Sequence, residues 1–230
     1  MRITGGFALQ KSTQVTDYVL CSDCEKLLGN NGETWIAPHI ARMGSFPLRD
    51  VLRVVRPVFE DDIGWVYSAH DIPGFDVDKL ECFALSVFWR SAAHTWRDRD
   101  TIPQIDLGVH EDDIRRFLLG ESGFPKEAYL LAGIWPAEPV PIATYFPVAE
   151  ETQGYGLFRF YIPGFEFALC VGDKVPSEVR QLCCHNSAPR LISVSRSPNY
   201  HAMSRLKRAL DSARFSTGLN DFLRVSNPRG

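Results

Sequence analysis

An α+β fold is predicted, helical in its first half and carrying an antiparallel sheet in its second. Three observations predict it. The longest stretch of helical periodicity falls early, at Val77–Arg97, where Leu80, Phe83, Ala84, Val87, Phe88 and Ser91 recur at helical spacing. From Ala128 to Val171 the pattern changes to short apolar and aromatic runs separated by Gly and Pro, which is the signature of closely spaced antiparallel strands. The chain has 230 residues, 45% hydrophobic and 23% charged, enough to bury a substantial core. Helices followed by strands, rather than alternating with them, give α+β. The expected division is a strand–knuckle–helix element over 1–45 and an α+β body over 46–230. That body is helical over 46–125, sheet-rich over 126–196, and ends in a helix over 199–225.

Thr16–Cys21 is rich in β-formers and reads as a short strand. Ser22-Asp23-Cys24-Glu25 has the S-x-x-E form of a helix capping box, and Lys26-Leu27-Leu28 continues it as a short helix. Gly29-Asn30-Asn31-Gly32 is expected to stop that helix. Short helices follow around Trp35, Ile36, Ile40 and Leu48–Val55, punctuated by Pro38 and Pro47. Ile63–Ala69 reads as a strand. A helix at Glu111–Leu119 places Glu111, Asp112 and Asp113 in its first turn and Arg115 and Arg116 later, in the order that complements the helix dipole. The expected strands are Ala128–Trp135, Ile142–Val148, Leu157–Ile162, Phe165–Val171 and Leu191–Val194. A short helix opens at Pro176-Ser177-Glu178. Residues 200–214 carry Met203, Leu206, Leu210 and Ala213 on one helical stripe.

Bulk properties narrow the function classes. No apolar stretch approaches the length of a membrane span, and the N-terminus lacks the apolar run of a secretory signal, so a soluble cytoplasmic protein is expected. Six cysteines in a chain of this size and context are expected to be reduced, with Cys82 and Cys170 as buried fillers. The net charge of −3 conceals an asymmetry, because residues 186–230 hold eight basic residues against two Asp. Such a basic segment either docks on the acidic remainder or meets an anionic partner such as nucleic acid. For the second reading the contacts would be Arg205, Lys207 and Arg208, which lie off the apolar stripe. No phosphate loop, dinucleotide fingerprint, nucleophile elbow or H-E-x-x-H motif occurs. The adjacent acidic pairs read as solvated or dipole-matching charge, and Arg90, deep in the apolar helix, as one half of a buried ion pair.

One motif carries chemistry. Cys21-x-x-Cys24 sits where a strand meets a helix start, and its spacing lets two thiolates reach one Zn²⁺ at about 2.3 Å. Backbone N–H groups at a helix start also favour thiolate charge. A redox dithiol and a metal-free structural pair are the alternatives. A tetrahedral site needs two more ligands. The candidates are His39, His70, Cys183, Cys184 and His185, of which Cys184 and His185 form the densest cluster, or a partner protein. The competing reading of Cys183-Cys184-His185 has Leu182 and one cysteine facing the core.

Tyr18-Val19-Leu20-Cys21-x-x-Cys24-Glu25-x-x-Leu28 resembles the second cysteine half of zinc-containing HNH-type endonuclease (treble-clef) domains. That resemblance implies a first half bearing another C-x-x-C and a catalytic histidine upstream. The twenty residues before Cys21 hold neither Cys nor His, so the catalytic half is expected to be missing, truncated or supplied in trans. More of the chain is similar to a group of uncharacterised bacterial proteins, through Leu20-Cys21-x-x-Cys24-Glu25, Phe88-Trp89-Arg90, Ile105-Asp106-Leu107-Gly108 and Ile114–Gly120. That likeness implies no particular activity. The expected function is a non-catalytic, zinc-stabilised binding or assembly protein working with a partner or a second copy, within a nucleic-acid-related complex. The alternative is a metal-dependent HNH-like endonuclease.

Overall fold

The computed structural model describes residues 2–4, 7–9, 20–42, 44–62, 64–95, 104–135, 144–185, 189–195 and 214–215. Its centre is a seven-stranded sheet against which one long helix packs. The strands are β3 (Phe59–Glu60), β4 (Gly64–Ser68), β5 (Ala128–Ile134), β6 (Tyr145–Glu150), β7 (Gly156–Ile162), β8 (Phe165–Val171) and β9 (Leu191–Ser195). They lie in the order β3-β4-β9-β5-β8-β7-β6. A separate three-stranded ladder joins β1 (Arg2–Thr4), β2 (Phe7–Leu9) and β10 (Arg214–Phe215).

The α+β class stands, with two differences from the sequence expectation. The main sheet is mixed, because β5 and β9 run parallel through Gly133↔Ser193 and Ile134↔Val194 while the other neighbours are antiparallel. It also draws on the first half of the chain. β4 pairs along its whole length with β9, from Gly64↔Ser195 to Ser68↔Leu191. Such pairing joins residues far apart in sequence, so local periodicity carries no trace of it.

β8 explains why the second half reads as near-continuous apolar runs. All seven of its residues are buried. Phe165, Phe167, Leu169 and Val171 join the main core, whereas Ala168 and Cys170 join a smaller cluster with Tyr129, Leu157, Val175 and Cys183 on the opposite face. A strand covered on both faces loses its polar alternation.

α4 (Val77–Ala93) is the helix expected at Val77–Arg97. The Asp76 carboxylate accepts from Lys79 N at 3.1 Å and caps its start. Its stripe of Leu80, Phe83, Ala84 and Phe88 is buried. Phe88 meets Phe160 edge-on with ring centroids 4.9 Å apart, and Phe83 meets Phe167 at 5.8 Å. α5 (His110–Leu118) lies against α4 and buries Ile114 and Leu118. α3 (Pro47–Leu52) begins on Pro47, and α6 (Ser177–Leu182) follows Pro176 as expected.

The N-terminal helix departs from expectation at both ends. α1 (Ser22–Leu28) is capped by Cys21, not Ser22: Cys21 Sγ accepts from Cys24 N at 3.4 Å. Of the strand expected over Thr16–Cys21, only Leu20 and Cys21 are described, and neither is strand. Gly29-Asn30-Asn31-Gly32 does not stop the helix. It forms a π-helical turn, Gly29–Glu33, that runs directly into α2 (Thr34–Ile36). Gly29 keeps an ordinary right-handed φ of −57°. Gly32 is needed for space: a Cβ there would lie 2.7 Å from Phe83 N and 2.8 Å from Phe83 Cα on α4. Both glycines serve close packing and continuation of the helix, so the C-cap reading of that run fails.

Residues 200–213 of the expected C-terminal helix lie outside the described residues, with Arg205, Lys207 and Arg208 among them, and Arg214 belongs to β10. Among the described residues no helix is long and apolar enough to cross a membrane.

Two glycines three residues apart test this packing. Gly32→Ala forces a Cβ against α4 backbone and should cost about 2 kcal/mol, or roughly 4–8 °C in Tm. Gly29→Ala meets nothing within 4 Å. It should leave stability unchanged or raise it by about 0.5–1 kcal/mol, because alanine suits a helix better. Thermal unfolding of the two variants checks the contrast.

Candidate functional site

The Cys21 and Cys24 side chains stand at the start of α1, Cys21 exposed and Cys24 half-buried. Backbone N–H groups of Cys24 and Asp23 and the Cys24 thiol all bear on Cys21 Sγ and hold its pKa below the ordinary thiol value. Cys24 is displaced upward by the same contact, since its thiol is the donor to Cys21. Negative charge is therefore favoured on Cys21 over Cys24. That donor set fits a thiolate-binding ion such as Zn²⁺, which needs deprotonated sulfur. α1 is held to the body through its continuation: Glu33, at the end of the π turn, accepts from Arg90 Nη2 of α4 at 2.5 Å. The ion pair expected of Arg90 forms, but it is only partly buried rather than buried, with the Glu33 side chain 40% exposed.

The further ligand candidates are committed elsewhere. His39 Nδ1 donates to Trp35 O at 2.8 Å, and its ring lies 4.5 Å from the Trp35 ring. His70 is exposed and lines a cleft described below. Cys183 and Cys184 are both fully buried on opposite sides of the sheet, Cys183 in the smaller cluster and Cys184 in the main core. Burial pushes both Cys170, to about 11, and Cys184 well above the ordinary thiol value. Leu182, expected to face the core, is 49% exposed. Among the described residues no three His, Cys, Asp or Glu gather to hold a metal ion.

A second constellation escaped the sequence reading. Glu81, on the inner face of α4, is 1% exposed. Its Oε2 lies 3.2 Å from His185 Nδ1, and its Oε1 is buried without a hydrogen-bond partner. The His185 ring stacks on Phe124, centroids 4.1 Å apart and planes 9° from parallel. Arg190 Nη2 lies 3.4 Å from the same His185 Nδ1, while Arg190 Nη1 donates to Asp78. The chain Asp78–Arg190–His185–Glu81 thus runs from solvent into the core. Arg190 and Asp78 also line an open cleft of about 580 Å³ with His70, Phe75, Asp76 and Pro189. One signal pointed here: Glu81 stands four and seven residues before Leu85 and Phe88, a carboxylate on an apolar helical face.

Burial dominates the electrostatics. Desolvation pushes the Glu81 carboxyl up to about 7, against an opposing pull from Arg190. Desolvation and the nearby Arg190 charge lower the His185 pKa. Both shifts favour a pair in which the carboxyl keeps its proton and the imidazole is neutral.

Their effects on stability oppose each other. Folded Glu81 holds its proton more tightly than the unfolded chain. Its contribution is complete below about pH 4.5 and is lost as pH rises through about 7, amounting to roughly 3 kcal/mol. Folded His185 holds its proton less tightly, so its contribution is present above about pH 6.5 and is lost as pH falls. Glu81→Gln should abolish the loss between pH 5 and 8 and leave stability rising with pH. His185→Gln should leave it falling. Chemical denaturation across that range checks this, and unchanged pH profiles in both variants would contradict it. No protein-family model, curated protein or solved structure matches this chain.

Proposed function

We propose that the chain is a non-catalytic binding or assembly protein whose Cys21 and Cys24 supply half of a tetrahedral zinc site, the other half coming from a second copy. The observation that carries this reading is the pair itself: two neighbouring surface thiols, one already biased toward thiolate, with no third metal-binding residue beside them among the described residues. A structural zinc takes four ligands, and two C-x-x-C pairs provide four thiolates. Their position at the outer end of a helix leaves room for the approach of a second chain. The anchoring of that helix through Glu33–Arg90 and Gly32–Phe83 gives the clasp a rigid base. Zinc would act here as a structural Lewis acid that fixes four sulfurs, and the nucleic-acid-related setting remains part of the same proposal.

Freshly purified, reduced protein should contain one zinc per two chains and run as a dimer in light scattering. A chelator should split the dimer, as should lowering the pH enough to protonate the thiolates. Cys21→Ser and Cys24→Ser should each yield metal-free monomer with the body still folded. Metal analysis showing no zinc would sink the proposal. One zinc per monomer would place the remaining ligands within a single chain.

A further inference from the structure

The groups around His185 cannot keep one arrangement in both protonation states. Its Nδ1 faces both Glu81 Oε2 and Arg190 Nη2, at 3.2 and 3.4 Å. With Nδ1 unprotonated, it accepts from the Glu81 carboxyl O–H and from Arg190, and its own proton sits on Nε2. With Nδ1 protonated, it donates to a Glu81 carboxylate and its N–H confronts the Arg190 N–H. In that second state Arg190 must leave Nδ1. Glu81 Oε1 is the acceptor open to it: buried, unpartnered, and within the electrostatic reach of Arg190.

We propose that Asp78–Arg190–His185–Glu81 is a proton-operated switch, in which Arg190 exchanges its exposed partner Asp78 for the buried Glu81 and so reshapes the cleft that Arg190 and Asp78 line. One proton leaves for solvent. The Glu81 carboxyl passes its proton to Nδ1, and the imidazole, neutral before and after, releases its Nε2 proton. The direction follows from burial. The Asp78 side chain is 78% exposed, and an ion pair in water contributes little. A newly ionised carboxylate that is 1% exposed needs a counter-charge far more.

The surroundings supply no competing cation among the groups that act on the pair. α4 contributes Asp78 and Glu81. The residues after α6 and before β9 contribute Cys184, His185 and Arg190, and the α5–β5 connection contributes the apolar ring of Phe124. Burial and the Asp78 charge oppose ionisation of Glu81, and Arg190 alone favours it.

Double-mutant cycles read the exchange. At pH 6, Asp78→Asn and Arg190→Gln should be non-additive in Tm, by about 1–4 °C for a surface-exposed pair in a chain of this size. At pH 8.5 that coupling should vanish, and a coupling between Glu81→Gln and Arg190→Gln should replace it. In a Glu81→Gln background the Asp78–Arg190 coupling should persist at both pH values. An Asp78–Arg190 coupling that is the same at both pH values in the parent overturns the proposal, as does one that still disappears in the Glu81→Gln background. If Arg190→Gln fails to fold, the Arg190 Nη ¹⁵N and Glu81 carboxyl ¹³C signals of the unaltered protein carry the test. They should titrate with one midpoint, and an Arg190 signal that ignores the Glu81 midpoint overturns the switch.

Discussion

Everything in this molecule rests on the contact between the aromatic face of α4 and the inner face of β7 and β8. Phe83 and Phe88 lie against Phe160 and Phe167, whose own rings stack at 4.8 Å. Buried phenyl rings contribute through area and through edge-to-face geometry, and four together fix the helix in position as well as adhesion. Three other parts take their placement from that helix. α5 packs on it, the π turn presses Gly32 against Phe83, and Arg90 reaches from its last turns to Glu33. The thiol pair is therefore positioned at one remove by the same phenyl cluster.

The sequence made much of this legible, for physical reasons that also mark its limits. α4, α5, β5, β7, β8 and β9 were readable because each buries a regular stripe or a whole strand, and burial writes a period into the residues. The pairing of β4 with β9 and the parallel β5–β9 contact were not, since partners so far apart in sequence leave no local pattern. Gly29-Asn30-Asn31-Gly32 misled for a different reason. Glycine signals both a helix end and a close approach, and only the tertiary neighbour, Phe83, decides between them. Cys21 and Cys24 were visible as a spacing, whereas Glu81 was camouflaged among apolar neighbours. Its partners His185 and Arg190 follow it by more than a hundred residues.

The two constellations manage charge in opposite ways. At the surface, backbone N–H groups and a neighbouring thiol draw negative charge onto Cys21, where solvent helps to carry it. Inside, the body keeps Glu81 beside an imidazole and lets the carboxyl hold its proton. A buried carboxylic acid of this kind is expensive, and apolar substitutes of equal volume often stabilise such sites. Retaining one ties the energy of the core to the proton activity of the surroundings.

The edges of the main sheet have a consequence for behaviour at high concentration. β3 offers only two residues at one edge. At the other, β6 carries Pro147, which has no N–H to donate, and its register with β7 shifts between Tyr145 and Val148. Among the described residues neither border presents a long, flat ladder of open donors and acceptors, which is the template on which strands from separate molecules zip together into fibrils. These two edges thus resist indiscriminate growth along the sheet.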